Sequence, residues 1–290
     1  MPIAILTDRA VIRISGADAE HFLQNLITTD LDGLAQGEAR PGALLTPQGK
    51  ILFDFLVSRD GEGGFLLDCP AGAAEDFMRR LTLYKLRAKV DISLSDQMVV
   101  TARWQDDSSA SHTDSTVPAA LRDRRFPDST PAWRGYGDAE ASADSDAWRR
   151  FRIAAGIAES GDDYALGEAF PHDVLLDQTG GVGFRKGCYV GQEVVSRMHH
   201  RGTARRRILK AEADRPLPAP GTPVTAGDRA IGTLGGVAGE TGLALVRIDR
   251  VKDALDAGTS IEAGGVALRL AIPGWASFGF PESGSDAENG

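Results

Sequence analysis

Four prolines crowd into eight residues, at Pro216, Pro218, Pro220 and Pro223, and mark the clearest break in this chain. Proline fixes φ and carries no amide proton, so neither a helix interior nor a central strand runs through that stretch. Downstream of it, short apolar runs alternate with turn glycines at Gly232, Gly235, Gly242 and Gly264. Residues 230–234, 243–248 and 266–272 therefore read as strands of a small C-terminal β-barrel.

Upstream of the prolines the pattern is mixed. Ile3, Ile5, Val11, Ile12 and Ile14 alternate as in a strand or a hairpin turning at Asp8-Arg9. Ser15-Gly16-Ala17-Asp18 has the S-x-x-D spacing of a capped helix start, and Phe22, Leu23, Leu26 and Ile27 follow on one helical face. Residues 44–45, 51–57 and 65–67 read as strands. Ala74, Phe77, Met78 and Leu81 recur at helical spacing, and 90–92 returns to strand. This β-β-β-α-β order predicts an α+β fold. Residues 99–104 read as a further strand and 122–133 as a short structured return. The polar stretches 106–116 and 137–146 are too poor in apolar residues to offset the entropy of ordering, and are expected as flexible loops. Asp144 or Asp146 is expected to cap a helix carrying Trp148, Phe151 and Ala155 and closed by Gly156.

Composition narrows the function. With 290 residues, 42% hydrophobic, the chain buries enough surface to fold without staples. Its 41 acids against 32 bases give a formal charge of −9, which argues against a nucleic-acid partner. Cys69 and Cys188 are the whole cysteine complement, too few for a disulfide framework or a Cys-rich metal site, so no metal centre is expected. No run approaches the ~20 apolar residues of a membrane span. Asp8 interrupts any signal-peptide core, and Arg9 and Arg13 are soon matched by Asp18 and Glu20, so a cytoplasmic protein is expected.

Phosphate-loop, H-E-x-x-H, G-x-S-x-G and Rossmann glycine signatures are absent. One segment stands out, residues 184–197: F-R-K-G-C-Y-V-G-Q-E-V-V-S-R. Gly187 and Gly191 bracket Cys188, and a helix is expected to begin near Gly191. A thiol just before a helix N-terminus, beside Arg185 and Lys186, feels a potential that favours thiolate. The alternative is a buried, inert cysteine, which is the expectation for Cys69 after the apolar run 65–67. Residues 196–207 hold five arginines, His199 and His200 without an acid, either an anion site or a solvated basic face. Arg149, Arg150 and Arg152 form a second basic group.

Lys186-Gly187-Cys188-Tyr189-Val190-Gly191-Gln192-Glu193 resembles the K-G-C-Y-x-G-Q-E signature of the YgfZ-type folate-binding proteins. These are relatives of the glycine-cleavage T-protein, an aminomethyltransferase, and are implicated in tetrahydrofolate-dependent assembly or repair of iron–sulfur clusters. Gly16-Ala17-Asp18, Phe22 to Asn25, Thr28-Thr29-Asp30, Thr46-Pro47-Gln48-Gly49-Lys50, Leu86 to Val90 and Arg152 to Gly156 resemble further landmarks of that family. The resemblance implies a three-part cloverleaf of two interleaved α+β modules and a C-terminal β-barrel around a central folate channel. The parts would be 1–40 with 140–208, then 41–139, then 209–280, with a disordered tail at 281–290. It implies a working role for Cys188, and contacts to tetrahydrofolate from Arg152, Lys186, Tyr189, Gln192, Glu193 and Arg197. The T-protein has an Asp-Asp pair where Phe53-Asp54 stands here, which leaves Asp54 as its one catalytic acid, and its G-E-x-G segment is not recognisable near 122–135. The function implied is a tetrahydrofolate-binding accessory factor serving iron–sulfur proteins or their assembly machinery. The alternatives are a folate-dependent aminomethyl or methyl transferase, and a folate sensor or scaffold.

Overall fold

The structure is a computed structural model, and it describes residues 1–95, 98–105, 120–202 and 204–281. The chain divides into two compact units. The first comprises Met1–Trp148, Leu166–Pro171 and Thr179–Ser196, and the second Arg149–Ala165, His172–Gln178 and Arg197–Gly290.

In the first unit the elements run β1 (Ile3–Ile5), β2 (Arg9–Ser15), α1 (Ala19–Gln24), β3 (Glu38–Leu45), β4 (Ile51–Arg59), β5 (Phe65–Pro70), α2 (Ala71–Lys85), β6 (Asp91–Ser95), β7 (Val100–Trp104), β8 (Leu121–Asp123) and β9 (Ala132–Tyr136). Helices α3 (Ser145–Ala155) and α4 (Gln192–Arg201) each start in the first unit and end in the second. The strands form a mixed sheet in the order β1-β7-β9-β8-β3-β4-β5-β2-β6, in which β3 and β8 pair in parallel. Alternation along β4 and β5 sends Phe53, Phe55, Phe65 and Leu67 into one core with Ile12 and Ile14. Helix α2 covers that core with Ala74, Phe77 and Leu81, spaced three and four residues apart, and Phe77 stacks on Phe53 and Phe55 at 4.8 and 5.2 Å.

A chain of buried charges holds strands of the same unit together. Arg9 donates to Asp68 at 2.7 Å, Arg125 pairs with Asp123 at 2.8 Å, and fully buried Arg134 lies 3.6 and 3.5 Å from those two carboxylates. Burial alone would raise the Asp123 pKa, but Arg125 and Arg134 hold it below the ordinary carboxylate value.

In the second unit β10 (Arg206–Glu212), β11 (Pro223–Ala226), β12 (Arg229–Ala238), β13 (Thr241–Arg247), α5 (Ile248–Asp256), β14 (Ile261–Ala263), β15 (Val266–Ala267) and β16 (Arg269–Ala271) follow. Their antiparallel sheet runs β15-β14-β11-β12-β13-β10-β16 around Leu209, Val224, Ile231, Leu234, Val246 and Val251.

The α+β class, the middle β-β-β-α-β order and the strand-rich C-terminal part agree with the sequence. Several local expectations change. Strands β1 and β2 are not a hairpin: β1 pairs with β7, while β2 lies between β5 and β6. Ser15 does not cap α1. It ends β2, and the Asp18 carboxylate instead accepts from the Lys89 amide at 2.7 Å. The 137–144 stretch is tied down, with the Ser142 and Ala143 amides donating to the Ile3 carbonyl. Asp144 caps α3 through the Ala147 amide, and Gly156 follows it at φ +77°. The sequence reading missed α5, whose Ile248, Val251 and Ala254 recur at helical spacing. The expected loop 106–116 lies outside the described residues, as does the expected tail apart from Pro281.

Candidate functional site

The 184–197 segment is built from both of its flanks. On one side the Lys186 ammonium donates to the carbonyl oxygens of Ile27 and Thr29 at 2.7 and 2.8 Å. The Thr28 hydroxyl donates to the Gly181 carbonyl at 2.6 Å, and the Gly183 amide donates back to the Thr28 carbonyl at 2.8 Å. Gly183 is needed here, because a Cβ on it would stand 2.8 Å from the Lys186 side chain and 3.0 Å from Asp30. On the other side Gly191, at φ +79°, lets the start of α4 sit on the 46–50 turn: a Cβ there would meet the Thr46 carbonyl oxygen at 2.6 Å. Gly49 in that turn, at φ +82°, faces Val194, whose Cβ would stand 2.9 Å from a Cβ placed on it. Two sequence landmarks read as separate are thus the two supports of a third.

Between the supports, Cys188 is exposed while Tyr189 is buried beneath the loop. Burial pushes the Tyr189 phenol up to about 12 and the Lys186 ammonium down to about 8, and Lys186 lies 5.3 Å from the Tyr189 ring centroid. Gln192 opens α4 as expected, with its amide bonded to the Tyr189 carbonyl. Glu193 lies in the first turn of α4, and Arg197 stands four residues on, both exposed. Asp54 is half-buried on β4, the strand leaving the 46–50 turn, opposite Ala43 of β3. Its neighbours Phe53 and Phe55 face Phe77, so strand alternation turns Asp54 to the other face. Cys69 is buried in the core as expected, and burial raises its thiol to about 12.

Arg152 lies in the second unit, in an environment that sequence reasoning missed. It is 1% exposed, and its guanidinium donates to Asp163 at 2.5 Å, to Asp162, and to the Ile157 carbonyl at 2.6 Å, with Glu159 3.5 Å away. A cation enclosed by three carboxylates has no charge left for a folate glutamate tail, so Arg152 does not fit the role its resemblance implied. Lys186 is likewise committed inward. The acids Asp162 and Asp163 follow a Gly161 turn and carry no sequence pattern that announces their partner.

Comparison with known proteins adds to this geometry. The GCVT N-terminal domain model matches residues 7–104, and the CAF17 C-terminal β-barrel domain model matches 205–278. The fold is thus GcvT-like α+β with a C-terminal, nearly closed β-barrel. A crystal structure of the glycine cleavage system aminomethyltransferase T from Bartonella henselae superposes with a TM-score of 0.70 at 16% identity, over 94% of this chain and 86% of that one. The iron–sulfur cluster assembly factor IBA57 of Mus musculus is 31% identical over 306 residues, covering 93% of this chain and 84% of its own. The chain belongs to the IBA57 family. The Homo sapiens IBA57 is 30% identical with the same coverage, and the Pyricularia oryzae IBA57 homolog is 35% identical over 70% of this chain and 55% of its own. Of the expected resemblance, the GcvT-like fold and the IBA57 family are what the comparisons support, in place of the YgfZ-type proteins. All three IBA57 proteins are named as mitochondrial, which overturns the cytoplasmic expectation. No helix among the described residues is long and apolar enough to cross a membrane.

Proposed function

We propose that this chain is an accessory factor in iron–sulfur cluster assembly and that the Cys188 thiol is its working group. The printed role of its IBA57 relatives supports the first part. The observation that carries the second is an exposed thiol on a loop pinned at both ends, by the 27–30 segment and by the 46–50 turn. A loop so supported presents its sulfur in one place, which a transient ligand needs. Cys188 supplies one iron ligand and Cys69 is shut in the core, so the remaining ligands come from the protein that delivers or receives the cluster.

Tetrahydrofolate is the small-molecule ligand of this reading, supported by the GcvT-like fold. Asp54, Tyr189, Gln192, Glu193 and Arg197 are the residues proposed to meet it, without Arg152 and with Lys186 acting only as a brace for the loop. Aminomethyl transfer is the weaker reading, because a likeness at 16% identity carries the fold alone.

The test is anaerobic cluster transfer to an apo acceptor, with the native chain and with Cys188→Ala. The variant is expected to fold normally and to lose transfer. Transfer by the variant at the native rate would remove the thiol from the function.

A further inference from the structure

Only four large apolar side chains among the described residues are exposed, and two of them stand three residues apart at the C-terminal end of α2. Leu83 is 66% exposed and Leu86 is 89% exposed. The core face of the helix is occupied by Ala74, Phe77 and Leu81, so these leucines lie off that face and in solvent. Single exposed leucines are ordinary on a protein surface, whereas a neighbouring pair on one helix end marks a contact.

The backbone holds Leu86 outward. It follows the last residue of α2 at φ +46° and ψ −106°, a conformation that L side chains rarely adopt and that persists only where the flanks impose it. The flanks are tied down. The Ala88 amide donates to the Lys85 carbonyl at 2.8 Å, the Lys89 amide donates to the Asp18 carboxylate at 2.7 Å, and the Asp18 amide donates to the Lys89 carbonyl at 3.2 Å. A strained residue with its side chain in water gains nothing from the rest of the molecule.

The surround is cationic. Arg80, Arg87 and Lys89 are exposed and Lys85 is half-buried, and none of the four pairs with an acid among the described residues. Of the exposed acids in α2 and β6, Asp76 is taken by Arg79, which leaves Glu75 and Asp91 against these four cations. The excess is local, in a chain whose formal charge is −9.

We propose that this end of α2 docks on an anionic lipid surface, with Leu83 and Leu86 entering the headgroup boundary and the four cations meeting lipid phosphates. The chain lies on such a surface and does not span it. A protruding apolar pair suits a deformable plane, which needs no pocket of matching shape. The long stems of lysine and arginine let their charged heads stay among the headgroups while the leucines go deeper. Screening confines the attraction to roughly 8–10 Å, so the negative charge carried elsewhere orients the molecule and does not prevent contact. Two leucines and four cations make a weak, reversible anchor, of the order of a single acyl chain with a binding constant of about 10⁴ M⁻¹.

The test is flotation of the full chain with vesicles of phosphatidylcholine alone and with about 30% phosphatidylglycerol, at low and high salt. Binding to the anionic vesicles is expected to exceed binding to phosphatidylcholine roughly tenfold, and to fall as salt rises. Leu83→Ser/Leu86→Ser is expected to weaken binding about tenfold or more, and Arg80→Glu/Arg87→Glu to abolish the preference for anionic vesicles. Both pairs are on the surface, so an unchanged thermal midpoint shows that each variant is folded. Cys188→Ala is expected to bind vesicles as the native chain does, so this docking and the cluster-assembly reading fail separately. A native chain that floats no better with anionic vesicles than with phosphatidylcholine overturns the proposal and leaves an acidic protein face as the occupant. Vesicle binding by both double variants at the native level overturns it as well.

Discussion

Gly191 and Gly49 meet so closely that a Cβ on Gly191 would stand 3.1 Å from the Gly49 Cα and 2.6 Å from the Thr46 carbonyl oxygen. The contact docks the start of α4 on the turn between β3 and β4, and it fixes one end of the Cys188 loop. Gly191→Ala both forces an L side chain into φ +79° and drives a methyl group into backbone. It is expected to cost about 1–3 kcal/mol, read as a lower urea midpoint. Gly187→Ala, with nothing within 4 Å of its Cβ, is expected to fall within about 0.5 kcal/mol of the native chain. Equal midpoints for the two variants would contradict this account of the loop.

The two thiols differ in access. Cys188 is exposed and Cys69 is buried with its pKa raised to about 12. Iodoacetamide at neutral pH is therefore expected to label the native chain once, by mass spectrometry, and to label native Cys188→Ala not at all. In denaturant the native sequence should take up two labels. Rapid labelling of the folded Cys188→Ala variant would show that the core is open at β5.

Arg152 is the keystone of an internal charge cluster. Its removal leaves Asp163, itself buried, without its cation, and burial already pushes the Asp163 pKa up. Arg152→Ala is expected to lose about 3–5 kcal/mol of stability. Arg152→Lys, which keeps the charge but not the fork that reaches Asp162, Asp163 and the Ile157 carbonyl together, should recover part of this. A neutral effect of Arg152→Ala on thermal unfolding would show that the charge cluster is not structural.

His172 makes stability pH-dependent on the acid side. Its folded pKa is about 4, against an ordinary value of 6.5, because burial penalises the imidazolium. Between those values the unfolded chain holds a proton that the folded chain does not, so stability falls as pH drops through 6.5 towards 4. The loss is up to about 3 kcal/mol for this group. His172→Asn is expected to flatten that part of the profile, and an unchanged slope would assign the effect to other groups.

How much of this could be read from the amino acids differs between elements. Helix α2 was legible because Ala74, Phe77 and Leu81 repeat at the helical period over a long amphipathic run. The place of β1 was not, because three residues pairing with β7, about a hundred positions away, leave no local trace. The residues of the Cys188 loop were legible from their order. What holds that loop was not, since Ile27 and Thr29 contribute only backbone carbonyls, which no side-chain pattern encodes. Arg152 shows the opposite failure: the arginine was visible, but its partners came from a separate turn, and the internal pairing displaced the ligand role.

The placement of the two sulfurs has a practical consequence for handling the protein in air. One is sealed in the core and the other stands at the surface, so oxidation has no internal partner to form a ring within one folded molecule. Peroxide or oxygen instead leads outward, to a covalent pair of chains or to a mixed bond with a small thiol such as glutathione. A reducing agent in the buffer thus protects the solution state of the molecule and leaves its architecture untouched.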